Sequence, residues 1–307
     1  MIIRTPLSAI FIIANMLALS ACGGGSADND EAIAEGVDVP VVFVKRKDEA
    51  LGNPTDGIRF SAGGDLYLLQ RATPASKAKN LTGHLTQNEG DVSDPEPSFD
   101  GKRVVFSMRR PGDESWNIWE YNIDTDSLTP LLIDEDGDDV DPAYLPDGRI
   151  IFSSNRQQRE KQLQQAQNIE PYAHLDEYER EPVISLHVFD PEASEPKTTI
   201  RQISFNQSHD RNPVVLSNGK VMFSRWDHLG QKNHFPIFTT NPDGTGLFVH
   251  YGAFSPGNSF LHPRETERGT IISSLMPLSG TYEAGAIVEI DIENFFDNED
   301  PDPDSLQ

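Results

Sequence analysis

Four stretches of the chain repeat one pattern, and that repeat constrains the fold more than any other feature. They read Asp94-Pro95-Glu96-Pro97-Ser98-Phe99-Asp100-Gly101, Asp141-Pro142-Ala143-Tyr144-Leu145-Pro146-Asp147-Gly148, Asn212-Pro213-Val214-Val215-Leu216-Ser217-Asn218-Gly219, and His262-Pro263 through Gly269. In each, the proline stands six residues before the glycine, and the Pro-to-Pro spacings are 47, 71 and 50. A β-branched or aromatic run follows every glycine: Val104-Val105-Phe106-Ser107, Ile150-Ile151-Phe152-Ser153, Val221-Met222-Phe223-Ser224 and Ile271-Ile272-Ser273-Ser274. Arg109, Arg156 and Arg225 close three of these runs, a position that suggests inter-blade salt bridges to the Asp of the repeat. An earlier, degenerate copy lies at Val41-Val42-Phe43-Val44-Lys45-Arg46. Internal repeats of this period mean stacked supersecondary units rather than one irregular domain.

Each run is followed by a second, as in Asp65–Leu69, Ile118–Asp124, Ile184–Asp190, Ile237–Gly244 and Ile287–Asp291, and a third short run often follows. Period-two alternation between Asp-Gly or Asn-Gly turns predicts antiparallel meanders. Three or four strands per unit, in a WD-like array, is the arithmetic of an all-β protein, a β-propeller of about five recognisable blades. The proline suits an edge strand, since it cannot donate to a ladder. The glycine supplies the positive φ of a tight turn. The longer middle spacing marks an insertion, residues 157–182, whose Gln, Glu, Arg and Lys content favours helix. That insertion is either a solvated excursion or an element that binds a partner. Trp116 and Trp119 are expected to pack between blades.

Asp-Pro-x-x-Ser-Phe-Asp-Gly-Lys-Arg-Val-Val-Phe-Ser, at residues 94–107, resembles the repeat of TolB-type propellers, found also in the propeller domains of prolyl-oligopeptidase relatives. Over residues 90–292 the runs DPEPSFDGKRVVFSMRR, DPAYLPDGRIIFSSNR, VMFSRWDH and FTTNPDGTGLFVHYG look like the propeller region of hydrazine synthase α-subunit-like proteins. The resemblance implies the fold. Haem chemistry does not carry over, because the chain has one Cys and therefore no Cys-x-x-Cys-His attachment site.

That single Cys sits in an address. Arg4 is the only charge before Asp28, Ala9–Leu19 is largely apolar, and Leu19-Ser20-Ala21-Cys22 resembles a lipobox. The expected layout is a lipoprotein signal peptide over 1–21 and an acylated flexible tether over 22–38. The propeller then covers 39–292, and an acidic disordered tail 293–307. Acylated Cys22 would hold the membrane through its lipid, and Gly23 in place of Asp suggests the outer membrane, periplasmic face. With 25 basic against 49 acidic side chains and a net charge of −24, no basic surplus exists for phosphates, which argues against nucleic acid as a partner.

Candidate chemistry is sparse. Asp134, Asp136 and Asp138 flank Gly137 and could offer hard oxygen ligands to calcium, without the full EF-hand spacing. The alternative is a solvated loop between blades. Asp227, His228 and His234 could form a funnel site for a metal or for acid–base work, with Asp227 orienting a histidine. No Gly-x-Ser-x-Gly elbow, His-Glu-x-x-His pair or phosphate loop is present. The expectation is a non-enzymatic scaffold for an envelope protein or polymer. The alternatives are a metal-assisted enzyme and an accessory subunit of a haem-bearing partner.

Overall fold

The computed structural model describes residues 39–292 except 48–51, 74, 230–231, 256–257 and 278–284. The expected signal peptide over 1–21, the expected tether over 22–38 with Cys22, and the expected tail over 293–307 lie outside the described residues.

Among the described residues the strands form six antiparallel sheets: five are the blades of a β-propeller and the sixth is a two-stranded hairpin. Blade 1 holds β1 (Val41–Lys45), β2 (Asp65–Leu69) and β3 (Lys79–Asn80); a short helix, α1 (Gly83–Thr86), follows it. Blade 2 holds β4 (Asp91–Pro97), β5 (Arg103–Arg109), β6 (Asn117–Asn122) and β7 (Ser127–Leu132). Blade 3 holds β8 (Asp139–Tyr144), β9 (Ile150–Ser154), β10 (Ser185–Phe189) and β11 (Arg201–Gln202). Helix α2 (Gln158–Ala166) stands between β9 and β10. Blade 4 holds β12 (Asp210–Val215) and β13 (Val221–Arg225), then a small hairpin of β14 (Asp227–Leu229) and β15 (Lys232–His234), then β16 (Ile237–Thr240) and β17 (Phe248–Tyr251). Blade 5 holds β18 (Asn258–Glu265), β19 (Ile271–Pro277) and β20 (Ala286–Ile290).

The alternation of the sequence divides each strand between its two neighbours. On β5, Phe106 packs with Leu66 and Leu68 of blade 1, whereas Val105 packs with Ile150 and Phe152 of blade 3. On β9, Ile151 turns the other way to meet Val221 and Phe223 of blade 4. On β13, Met222 meets Phe260 and Ile271 of blade 5. The core is therefore a set of wedges between blades, and sheets facing each other this way need apolar residues on both faces. Trp119 lies in the wedge of blades 1 and 2, as its sequence position suggests, and Trp116 is buried against Phe60 from the loop after β1.

Two local rules shape each blade. Gly101, Gly148, Gly219 and Gly269 have φ of 69°, 90°, 81° and 78°. A Cβ at any of them would meet nothing within 4 Å, so the backbone angle alone selects glycine there. Six residues upstream, the ladder between the first two strands slips at Ser93/Glu96, Val140/Ala143, Arg211/Val214 and Leu261/Arg264. The proline falls inside that bulge, where its missing N–H leaves no gap in the ladder.

The arginines differ from expectation. Arg156 reaches Asp139 at 2.6 Å and Arg225 reaches Asp210 at 2.8 Å, both within their own blade and both to the Asp that opens the first strand. Arg109 stacks over Phe60 instead, and Asp91 is taken by Arg46 of blade 1 at 2.6 Å. The first strand's end is simply closer to the second strand's end than to the next blade. Arg46–Asp91 bridges blades 1 and 2, and Arg211–Asp141, at 3.7 Å, bridges blades 4 and 3 at the Asp of the repeat itself. The insertion differs too: helix covers Gln158–Ala166, and the remainder is irregular apart from a Leu175–Pro182 bridge.

Phe152 is fully buried and Phe99 is 69% exposed. Phe152→Ala should therefore cost about 3–5 kcal/mol in denaturant unfolding, while Phe99→Ala should stay within about 0.5 kcal/mol.

Candidate functional site

At the axis, the four residues before the repeat prolines come together. Asp94, Asp141, Asn212 and His262 have φ of 54°, 53°, 54° and 50°. Asn, Asp and His are the non-glycine residues that tolerate this left-handed region best, which explains why these types alone occupy the position. Three of their N–H groups donate to the side chain of the preceding blade: Asp141 to Asp94 at 3.3 Å, Asn212 to Asp141 at 3.1 Å, and His262 to Asn212 at 3.3 Å. The Asn212 amide adds a second bond to Asp141 at 3.0 Å.

The axial cavity, about 30 Å³, is lined by Arg46, Ser93, Asp94, Trp116, Arg211 and His262 among others. That volume suits a water or a small ion, not an organic substrate. Burial, and then the charge of Asp141, push the Asp94 carboxyl up to about 7 despite Arg211 and Arg46. Burial also acts on Asp141, but Arg211, the Asn212 N–H and His262 outweigh it and hold that carboxyl below its usual range.

The β1–β2 loop of blade 1, the insertion of blade 3 and the hairpin of blade 4 meet on one face, and the insertion ties the other two together. Arg180 reaches Asp56 at 3.8 Å and Thr55 at 3.5 Å in the blade 1 loop. At its other side the insertion meets the blade 4 hairpin: Asn233 donates to the Tyr178 hydroxyl, and Glu177 contacts His228. Tyr178 packs on Trp226 at 5.2 Å and on His228 at 5.4 Å. Trp226 stacks on Phe235 at 6.0 Å and donates its indole N–H to Asn233 at 2.7 Å. The insertion is thus a strap from blade 1 to blade 4. It leaves Leu163, Ile169, Tyr172 and Tyr178 exposed by 53%, 46%, 64% and 40%. Its helix also walls a cleft of about 650 Å³ on the flank of blade 3, lined by Arg156, Glu160, His187, Lys197, Arg201 and Gln202 among others. His187 donates from Nδ1 to the Ser185 carbonyl when it is neutral, and burial and Arg156 push it down to about 3.

The residues named from sequence fall elsewhere. Asp134 is buried and engaged by Arg156 at 3.1 Å and Lys197 at 2.9 Å, and Lys197 also approaches Asp136 at 3.5 Å. Asp138 accepts from the Trp116 N–H at 3.0 Å and the Asn155 amide at 3.1 Å. Asp227 stands opposite His234 in the hairpin register. His234 is buried with Nε2 3.1 Å from the Gly252 carbonyl, while His228 turns to the strap. These three residues share the hairpin but do not line the axial cavity. Among the described residues, no group of three or more His, Cys, Asp or Glu could hold a metal ion. The axial quartet was visible in the sequence as the residue before each proline. Its restriction to Asp, Asn and His was the signal to follow.

The sheets and the axial repeat define a β-propeller, with five blades among the described residues. No protein-family model matches the chain, and no curated protein matches it significantly. Among solved structures, hydrazine synthase of Kuenenia stuttgartiensis is similar with a TM-score of 0.66 at 18% identity, over 85% of this chain and 38% of that one. This chain therefore spans well under half of that protein, and the likeness is one of fold. TolB from Acinetobacter baumannii (TM-score 0.42, 15% identity, 73% of this chain and 50% of that one) is more distant. So is oligogalacturonate lyase from Vibrio parahaemolyticus (0.43, 16%, 75% and 56%).

Blade 4 already uses Asn at the axial position, so Asp94→Asn can keep the acceptor while removing the charge. Because the Asp94 carboxyl is raised in the folded state, stability falls as pH rises from about 4 through about 7. Asp94→Asn should therefore raise Tm over wild type at pH 8, with the gap closing toward pH 4. The buried histidines His187 and His209, held down to about 3 and about 4, work in the opposite direction below pH 6.5. They are the same in both proteins and cancel in the comparison.

Proposed function

We propose that this chain is an exported, lipid-anchored β-propeller at the outer membrane that works as a non-enzymatic binding scaffold for an envelope protein. The observation that carries this reading is the strap. It is fixed at both ends by the Arg180 and Tyr178 contacts, yet presents Leu163, Ile169, Tyr172 and Tyr178 to solvent. Aromatic and aliphatic side chains held on a rigid base are what a protein interface uses as anchors. Within this one segment they give four exposed anchors on a chain of net charge −24. Export and anchoring rest on the run to Cys22, and the polar stretch behind it supplies the reach from the membrane.

Asp139, Asp210 and Asp141 are meanwhile committed to arginines and a backbone N–H, and His187, His209 and His234 to backbone groups, which supports a stiff body more than a reaction centre. In pull-downs from envelope extract with the body from residue 23 onward, Ile169→Ala with Tyr172→Ala should weaken capture of the same partner at least about tenfold, or 1.4 kcal/mol. Cys22→Ala should move the protein from the membrane to the soluble fraction. Elemental analysis of protein purified without chelator should find no stoichiometric transition metal. A metal lost in His228→Ala would establish the metal-assisted reading instead.

A further inference from the structure

Blade 3 departs from its neighbours at one position. In four blades the phenylalanine of the repeat's apolar run faces a residue on the adjoining strand: Phe43 faces Tyr67, Phe106 faces Trp119, Phe152 faces His187 and Phe223 faces Phe238. Three of those partners are large aromatic rings, and blade 3 has an imidazole instead. Leu186 and Val188, on either side of it, turn toward blade 4. His187 therefore turns the other way, against Phe152 at 5.6 Å and onto the cleft of about 650 Å³.

The ring is set to accept a hydrogen bond there. The Ser185 carbonyl, 2.9 Å from Nδ1, can only accept, so Nδ1 carries the proton and the lone pair lies on Nε2. His187 is 3% exposed, and its Nε2 has no hydrogen-bond partner among the described residues. Burial and Arg156 push its pKa down to about 3, so the ring stays neutral near pH 7. A buried acceptor with a free lone pair is a place for a ligand that brings a donor.

The fixed charges around it are unequal. Arg156 and Lys197 are engaged by Asp134, Asp136 and Asp139 at 2.6 to 3.5 Å. Of the other charged groups lining the cleft, Glu160 and Glu195 are set against Arg201 alone. Carboxylates thus outnumber cations, which attracts a positively charged molecule and repels a carboxylate or phosphate. The volume falls within the range of small-molecule sites, roughly 300–1,000 Å³, and exceeds what an ion needs.

We propose that this cleft binds a small organic amine, its ammonium group drawn by Glu160 and Glu195 and a hydroxyl or N–H donated to His187 Nε2. Pro196 and Ile200 supply an apolar wall for its carbon frame. The site lies within blade 3 and its flanking helices, and it does not depend on the reading of the strap as a protein interface.

The test titrates the full chain, carrying 15N-labelled histidine, with three sugars of one size: glucosamine, glucose and glucuronate. The His187 Nε2 resonance, assigned by its loss in His187→Gln, should move with glucosamine and saturate at a Kd at least about tenfold below that for glucose. Glucuronate should leave it unmoved. Glu160→Gln with Glu195→Gln, both outside the core, should weaken glucosamine at least about tenfold with Tm unchanged. Equal affinity for glucosamine and glucose, a shift with glucuronate, or no shift with any of the three would overturn the proposal. In case His187→Gln disturbs the wedge, the double glutamine variant stands as a separate check: glucosamine binding as tight as in wild type would sink the idea.

Discussion

The structure depends on a residue forced into the left-handed region in front of a proline. At Asp94, Asp141, Asn212 and His262 the backbone adopts φ near +50°, a conformation that costs an ordinary L-residue roughly 1–2 kcal/mol. The bulge that results takes the proline out of the ladder and aims the preceding side chain at the axis. There it accepts the next blade's N–H, a bond worth about 0.5–1.5 kcal/mol net. Strain and bond are of similar size, so the motif contributes little net stability. What it contributes is angle: blades 2 to 5 are held one to the next by a short Asp or Asn side chain at the same place in the repeat.

The remaining energy lies in the wedges between blades. A strand such as β5 sends Phe106 one way and Val105 the other, so each apolar residue of the repeat stabilises a contact between units rather than the unit itself. No blade could fold alone on such a pattern, since each of its faces needs a neighbour. This is why the fold was legible. Alternation, the glycine at the turn and the proline six residues before it are local signals, and each has a single structural reading at fixed spacing. The arginines were half legible. Their recurrence at one position was plain, but whether they turn to their own blade or the next depends on the separation of strand ends, which spacing does not encode.

The face that carries the functional reading was much less legible. Composition favours helix across the insertion, yet only Gln158–Ala166 forms one. Beyond it, Glu177, Tyr178 and Arg180 are held by residues 50 or more positions away in sequence, in blades 1 and 4. Such long-range pairings override propensity and leave no periodic trace. Likewise the acidic run around Gly137 reads from sequence either as a cation loop or as a solvated loop between blades, and neither reading includes the Arg156 and Lys197 that stand beside Asp134. A carboxylate cluster and an ion-pair network have the same composition and differ only in what folds back on them.

Charge is distributed in a way that bears on partners. Arg46, Arg156, Arg211 and Arg225 are turned inward, with side chains no more than 20% exposed, and each lies within 4 Å of a buried aspartate. Pairs like these add little net stability, because desolvation offsets most of the attraction, but a mispaired one would be costly, so they select one arrangement of strand ends. Their other effect is on the outside. Taking arginines inward as neutral pairs leaves the surplus of acids on the surface, where a field of one sign speeds encounter with basic partners and repels acidic ones. Within that field the strap, itself rich in charged residues, presents Leu163, Ile169, Tyr172 and Tyr178 and is seated on two blades. A partner that fits both would carry positive charge around an apolar centre, the field governing how fast it arrives and the strap how long it stays.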